Sequence, residues 1–161
     1  MKNQELSTEA GLETGFKSLG LRSDLLAILN KLKLELPTPI QIAAIPPVLA
    51  GHDVVGVAQT GTGKTLAFGL PMLQRLRLTR GRGLIVLPTR ELASQVSASL
   101  LRVGAQLGLR TAVLIGGEAI SRQLTALRTN PQIIVATPGR LLDCLASKMV
   151  RPHDIKLVVL D

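Results

Sequence analysis

The sequence predicts an α/β fold, a parallel β-sheet flanked by helices. Three observations carry that prediction. Short apolar runs without polar alternation recur at residues 54–58, 84–87, 111–115, 133–136 and 157–160, and strands buried on both faces read this way. A helical segment separates each run from the next, as parallel pairing requires. Glycine, proline, threonine and arginine cluster directly after the runs, where loops beyond the carboxyl ends of parallel strands gather functional groups. With 161 residues, 46% of them hydrophobic, the chain can bury the core of one domain.

The elements follow in order. Residues 1–15 are polar and glycine-containing, which reads as a flexible tail. Phe16 and Leu19 begin the structured part, and Ser23 or Asp24 can cap a helix over 25–33. Pro37 and Pro39 break that pattern. A second helix is expected over 40–50, its last turn made irregular by Pro46 and Pro47. The run at 54–58 reads as a strand leading through glycine-rich sequence into a helix over 64–77. The unit then repeats. Strand 84–87 leads to a helix over 91–107, strand 111–115 passes Gly116 and Gly117 to a helix over 120–128, and strand 133–136 leads to a helix over 139–146. Strand 157–160 meets Asp161.

Charge narrows the partner. The formal net charge is +8, yet residues 1–65 hold six basic and six acidic groups. Residues 66–161 hold thirteen basic groups, eleven of them arginine, against five acidic ones. Such a surplus either favours an anionic partner, through field focusing and counterion release, or is a solvated basic surface. Phe16 and Phe68 are the only aromatic residues, which excludes a stacking platform for splayed bases. Nucleic acid would therefore be gripped by its backbone. A single cysteine, Cys144, excludes an internal disulfide framework, and two histidines leave no metal-ligand cluster. No apolar run reaches the roughly 18 residues of a membrane span. The N-terminus lacks the apolar core of a secretory signal. A cytoplasmic setting is the expectation.

The segment Gln59, Thr60, Gly61, Thr62, Gly63, Lys64, Thr65 follows a predicted strand and precedes a predicted helix. Gly61 and Gly63 allow the backbone to wrap a phosphate chain, and amides opening the next helix can donate to phosphate oxygens. Lys64 can reach the outer phosphates, and the Thr65 hydroxyl can ligate Mg²⁺. A glycine-rich turn that binds nothing would explain the glycines but not the Lys-Thr pair.

Upstream and downstream of that loop, further motifs appear in order. Leu36, Pro37, Thr38, Pro39, Ile40 and Gln41 resemble the glutamine motif of DEAD-box RNA helicases, with Phe16 as its upstream aromatic. Residues 58–65 resemble that family's phosphate loop. Pro88, Thr89, Arg90, Glu91 and Leu92 resemble its first nucleic-acid motif, Gly116 and Gly117 its paired glycines, and Thr137, Pro138, Gly139 and Arg140 the next nucleic-acid motif. Val158, Val159, Leu160 and Asp161 resemble the strand opening the Asp-Glu-Ala-Asp box. The resemblance runs from Phe16 to Asp161 and looks closest to bacterial members. Lys33 and Leu34 depart from it: the family usually has glycine at the first position and Phe or Tyr at the second.

The resemblance implies a RecA-like phosphate-loop NTPase domain over residues 16–161, incomplete at its C-terminus, with the second RecA-like domain absent. Gln41 would read the adenine edge and Phe16 would pack near the base; a core role for Phe16 is the plain alternative. Thr60, Gly61, Thr62, Gly63, Lys64 and Thr65 would hold ATP, and Thr65 and Asp161 would serve Mg²⁺. Pro88, Thr89, Arg90, Gly117, Thr137 and Arg140 would contact the RNA sugar-phosphate backbone, although Thr137 to Gly139 could simply cap a helix. These are phosphate-positioning groups, so binding independent of base sequence is expected. The implied function is ATP-driven local unwinding of RNA duplexes or remodelling of ribonucleoproteins. A DNA-directed helicase and an ATP-gated RNA clamp are the competing readings. The family's sheet places a further strand between the phosphate-loop strand and the Asp161 strand. The 161-residue chain by itself is therefore expected to be inactive and poorly stabilised.

Overall fold

Residues 15–161 are described by a computed structural model. The tail expected over residues 1–15 lies outside them except for Gly15, which opens a 3-10 turn (Gly15–Leu19). The described chain forms two units, divided between Arg75 and Leu76.

In the first unit, Phe16 and Leu19 are buried from the opening turn. Helix α1 (Ser23–Lys31) buries Leu25, Ile28 and Leu29, the i, i+3, i+4 spacing that places side chains on one face. It ends in a left-handed turn at Lys33, φ 57°. The Lys33 amide bonds to the Asn30 carbonyl and the Leu34 amide to the Leu29 carbonyl, both at 2.9 Å. That is the paired-bond helix stop in which glycine is usual, so the departure at Lys33 places an L side chain in a strained backbone region.

Helix α2 (Pro39–Leu49) buries Gln41, Ile42, Ala44 and Ile45. Pro46 and Pro47 lie inside it and the helix continues past them. The two prolines remove the amides that would bond the Ile42 and Ala43 carbonyls, yet the helix runs on to Leu49, and its end is closed by the Ala50 amide on the Pro46 carbonyl and the His52 amide on the Pro47 carbonyl, each at 3.0 Å.

The strand expected over 54–58 does not form. Val55 and Val57 are 96% and 94% exposed. Extended backbone becomes a strand only when its N–H and C=O groups find a partner, and the described residues provide none. Helix α3 (Lys64–Leu78) then carries the chain into the second unit.

The second unit holds β1 (Arg82–Val86), α4 (Arg90–Gly104), β2 (Thr111–Leu114), α5 (Ile120–Arg128), β3 (Ile133–Ala136), α6 (Pro138–Ala146) and β4 (Ile155–Leu160). The four strands pair in the order β2-β3-β1-β4, all parallel. One face packs Leu84, Ala112, Leu114, Ile134 and Ala136 against Leu127 of α5 and Leu141 and Cys144 of α6. Ile85, Ile133 and Val135 point to the opposite face and are fully buried. Helix α4 packs over β2 and β3. Each leucine, isoleucine or valine among these contributes about 1.5–3 kcal/mol by leaving water. The outer strand β4 behaves differently. Its residues alternate in exposure, with Val158 and Leu160 58% and 79% exposed, so the expectation of a strand covered on both faces fails there.

Because the strands are parallel, their carboxyl ends share one edge. Pro88 to Arg90 follow β1, Gly116 and Gly117 follow β2, Thr137 to Arg140 follow β3, and Asp161 follows β4. The strand-start edge lies opposite and carries the ends of α3, α5 and α6.

Candidate nucleotide and nucleic-acid sites

The phosphate loop belongs to the first unit. Gly61 and Gly63 both have left-handed backbones, φ 83° and 92°, where glycine carries no steric penalty. At Gly61 an added Cβ would meet nothing within 4 Å, whereas at Gly63 it would lie 2.6 Å from Gln41 Nε2 and 2.9 Å from Thr38 Oγ1. Gly61 therefore sits beside open space and Gly63 is confined. The Thr62 hydroxyl donates to the Gln59 carbonyl at 2.6 Å, bracing the turn. Lys64 and Thr65 open α3. The Ala67 amide reaches the Gly63 carbonyl at 3.1 Å, so the amides of Lys64 and Thr65 lie in the first turn, where helices leave N–H groups unpaired.

Gln41 is 3% exposed. Its Oε1 accepts from the Thr38 amide at 2.9 Å, and its Nε2 donates to the Gly63 carbonyl at 3.1 Å. One side chain thus joins the start of α2 to the phosphate loop. A primary amide has two N–H groups and two acceptor lone pairs, so one of each is left for a ligand. Phe16 is 5% exposed and lies in the turn that packs on α2, a core position.

The second site is the carboxyl edge of the sheet. Thr89 caps α4, its hydroxyl oxygen accepting from the Leu92 amide at 3.3 Å; the O–H proton is still available to a phosphate. Pro88 is exposed beside it. Arg90 NH1 donates to the Gly116 carbonyl at 3.2 Å. Gly117 has φ 78°, and a Cβ there would collide with the Arg90 guanidinium. The paired glycines and Arg90 are therefore one assembly, lining a cavity of about 490 Å³ with Glu91 and Glu118.

Thr137 precedes α6 at its N-cap, and its side chain makes no capping bond. The capping role set against its RNA role is thus performed by backbone alone, with Pro138 opening the helix. Arg140 NH1 donates to Gln123 Oε1 at 2.9 Å, and its Nε lies 3.7 Å from Asp143. Gln123 is 3% exposed and donates to the Ile115 carbonyl at 2.8 Å. It links the loop after β2 to Arg140 in α6. The sequence reading missed it. Its signal was a polar residue four before Leu127 on the buried stripe of α5. Asp161 sits at the same edge, its amide bonded to the Val86 carbonyl at 3.1 Å.

Cys144 is a core group. Burial pushes its thiol above the ordinary value, against the pull of Arg140. Among the described residues no three His, Cys, Asp or Glu side chains gather as a metal cluster, and no helix is long and apolar enough to cross a membrane.

A parallel sheet flanked by helices, together with a glycine-rich loop opening a helix with Lys-Thr, defines the class of phosphate-loop NTPase domains. Comparison with known proteins narrows the class. The DEAD/DEAH box helicase family matches over residues 38–161, and the chain belongs to that family. It is 45% identical over 150 residues to the DEAD-box ATP-dependent RNA helicase CshA of Bacillus cereus, covering 92% of this chain and 29% of that protein. Against the Bacillus subtilis protein of the same name the identity is 43% over 148 residues, covering 91% and 30%. The chain thus spans less than a third of these relatives. Among solved structures, a DEAD box protein from Methanococcus jannaschii superposes with a TM-score of 0.85 at 34% identity, covering 91% of this chain and 41% of that one. The RNA helicase Prp28 from Chaetomium thermophilum, bound to ADP, gives 0.83 at 39% identity, covering 91% and 38%.

Proposed function

We propose that this chain is the ATP- and RNA-binding front part of an ATP-dependent RNA helicase. The parent protein would couple ATP hydrolysis to local RNA unwinding or ribonucleoprotein remodelling in the cytoplasm. The observation that carries this reading is the Gln41 side chain, bonded at once to the start of α2 and to the Gly63 carbonyl. A base reader tied to the phosphate loop lets one rigid piece sense both ends of a nucleotide.

In this reading Gln41 offers its remaining N–H and lone pair to the adenine edge. The open space beside Gly61 admits the phosphates, which the amides opening α3 and the Lys64 ammonium hold. Thr65 offers its hydroxyl to Mg²⁺, and the Asp161 carboxylate is a further candidate ligand for such an ion. Mg²⁺ supplies neutralisation of the phosphate charge when bound. At the carboxyl edge, Thr89, Arg90, Gly117, Thr137 and Arg140 position RNA phosphates and sugars, with Pro88 shaping the entry to α4. The two helix N-termini there, of α4 and α6, add partial positive charge. A family relative bound to ADP supports the choice of an adenine nucleotide, and relatives named RNA helicases support RNA.

The test is ATP turnover by the full-length parent with RNA, with DNA of the same sequence and with neither. RNA should stimulate and DNA should not, and Lys64→Ala should abolish turnover. Equal stimulation by DNA would point to a DNA-directed helicase. RNA clamping that survives Lys64→Ala unchanged would point to a clamp.

A further inference from the structure

The basic surplus of the second unit is not concentrated at the carboxyl edge. There Arg90 shares its cavity with Glu91 and Glu118. The larger cavity, about 590 Å³, opens at the opposite, strand-start edge. Arg77, Arg80, Arg82 and Arg151 line it, and among the described residues Asp154 is its only acidic group. Asp154 is already shared by Arg151 at 3.2 Å and His153 at 3.4 Å. Among the described residues no carboxylate pairs with Arg77, Arg80 or Arg82.

Two arginines at this edge, Arg82 and Arg110, are oriented by a neutral residue. Arg82 NH2 donates to Asn130 Oδ1 at 2.6 Å, and Arg110 NH2 donates to the Asn130 carbonyl at 3.4 Å. Asn130 ends α5 with φ 55°, a conformation that asparagine tolerates better than most residues. Its two oxygens therefore fix two guanidinium groups without cancelling their charge. Gly81, φ 136°, completes the turn; a Cβ there would collide with the Lys156 side chain, so the glycine lets another cation close in. Like charges gathered this way repel each other and raise the local potential for an anion.

We propose that the strand-start edge is a second RNA-binding surface, which takes phosphates of the strand or duplex arm flanking the segment held at the carboxyl edge. Arginine forks match phosphate oxygens in pairs, and Asn130 and Gln132 add amides of the kind that bind sugar and phosphate. A protein partner fits less well. The apolar wall residues Leu76 and Leu109 are 3% and 7% exposed, so the surface lacks the apolar anchors that dominate protein interfaces. No aromatic residue lines the cavity, so bases are not stacked there. The inference rests on the RNA reading above only for the identity of the strand.

The test uses the full-length parent carrying Arg77→Gln and Arg80→Gln, two exposed side chains outside the nucleotide and carboxyl-edge sites, with Arg151→Gln as a second variant. Binding is followed by fluorescence anisotropy across a salt series, for a short RNA of about ten nucleotides and for the same RNA with a long structured flank. The short RNA should bind and stimulate ATPase equally in wild type and variants. The flanked RNA should lose several-fold affinity in the double variant. Its log–log salt slope should fall by about 1.4–1.8, two contacts at roughly 0.7–0.9 each. Equal losses for both RNAs, or none for either, would overturn the proposal. So would competition by polyglutamate but not by the flank, which would indicate an acidic protein. Displacement of inorganic triphosphate without dependence on the flank would restrict the surface to small phosphates and likewise overturn it. If the short RNA fails to stimulate ATPase while the flank effect persists, the helicase reading fails and this surface stands.

Discussion

The two ends of the second unit's sheet solve opposite problems. At the carboxyl edge Arg90 is pinned by the Gly116 carbonyl, Arg140 by Gln123, and Gln123 by the Ile115 carbonyl. Glu91 and Glu118 offset much of the positive charge. At the strand-start edge, four arginines face one aspartate, and the pins on Arg82 and Arg110 are neutral oxygens of Asn130. The first edge is built for position and the second for attraction. Net charge alone would have chosen the second as the nucleic-acid face, whereas the motifs choose the first. Positioning a backbone requires fixed donors more than a high local charge.

This contrast can be broken by substitution. The largest effect is expected from Gln123→Leu, which strands the Ile115 carbonyl and releases Arg140. Loss of one buried acceptor's partner and one charge-assisted bond should lower stability by about 3 kcal/mol, read by urea denaturation. A loss under 1 kcal/mol would mean that the link is not structural. Next comes Gly117→Ala. The left-handed backbone and the collision with Arg90 should together weaken binding of short RNA by about 2 kcal/mol, roughly thirtyfold, measured by anisotropy. Unchanged affinity would separate the glycines from the Arg90 assembly. Arg140→Ala should weaken the same RNA by about 1 kcal/mol and lower its salt slope by roughly 0.7. The smallest effect is at the other end of α6, where Lys148 ends the helix with φ 57°. Lys148→Gly should raise stability by about 0.5–1 kcal/mol without changing RNA affinity, seen as a higher melting temperature.

Much of this was legible in the sequence, for physical reasons that vary by element. Strands β1 to β4 were readable because continuous apolar runs between helical segments have few other folds open to them. The carboxyl-edge loops were readable because parallel topology dictates where they must lie. The run at 54–58 has the same apolar texture and still forms no strand, because pairing depends on a neighbour that local sequence does not specify. The proline pair in α2 bears the other way: it removes the amides that would bond the Ile42 and Ala43 carbonyls, but so near the helix end that the element still runs on to Leu49. Gln123 escaped notice because one glutamine in a helix carries no spacing signature; only its place on a buried stripe marks it. The charge count located the basic half correctly, but composition holds no information on which edge of a sheet its arginines occupy.

RNA gripped at the carboxyl edge, with the arginine-rich edge as an auxiliary, is the proposed arrangement. The direct measurement is the affinity of the full-length parent for a short single-stranded RNA, in wild type, in Arg140→Ala and in the Arg77→Gln, Arg80→Gln double variant. Weakened binding in Arg140→Ala with wild-type binding in the double variant is the predicted result. Loss in the double variant with none in Arg140→Ala would contradict it and move the grip to the opposite end of the sheet.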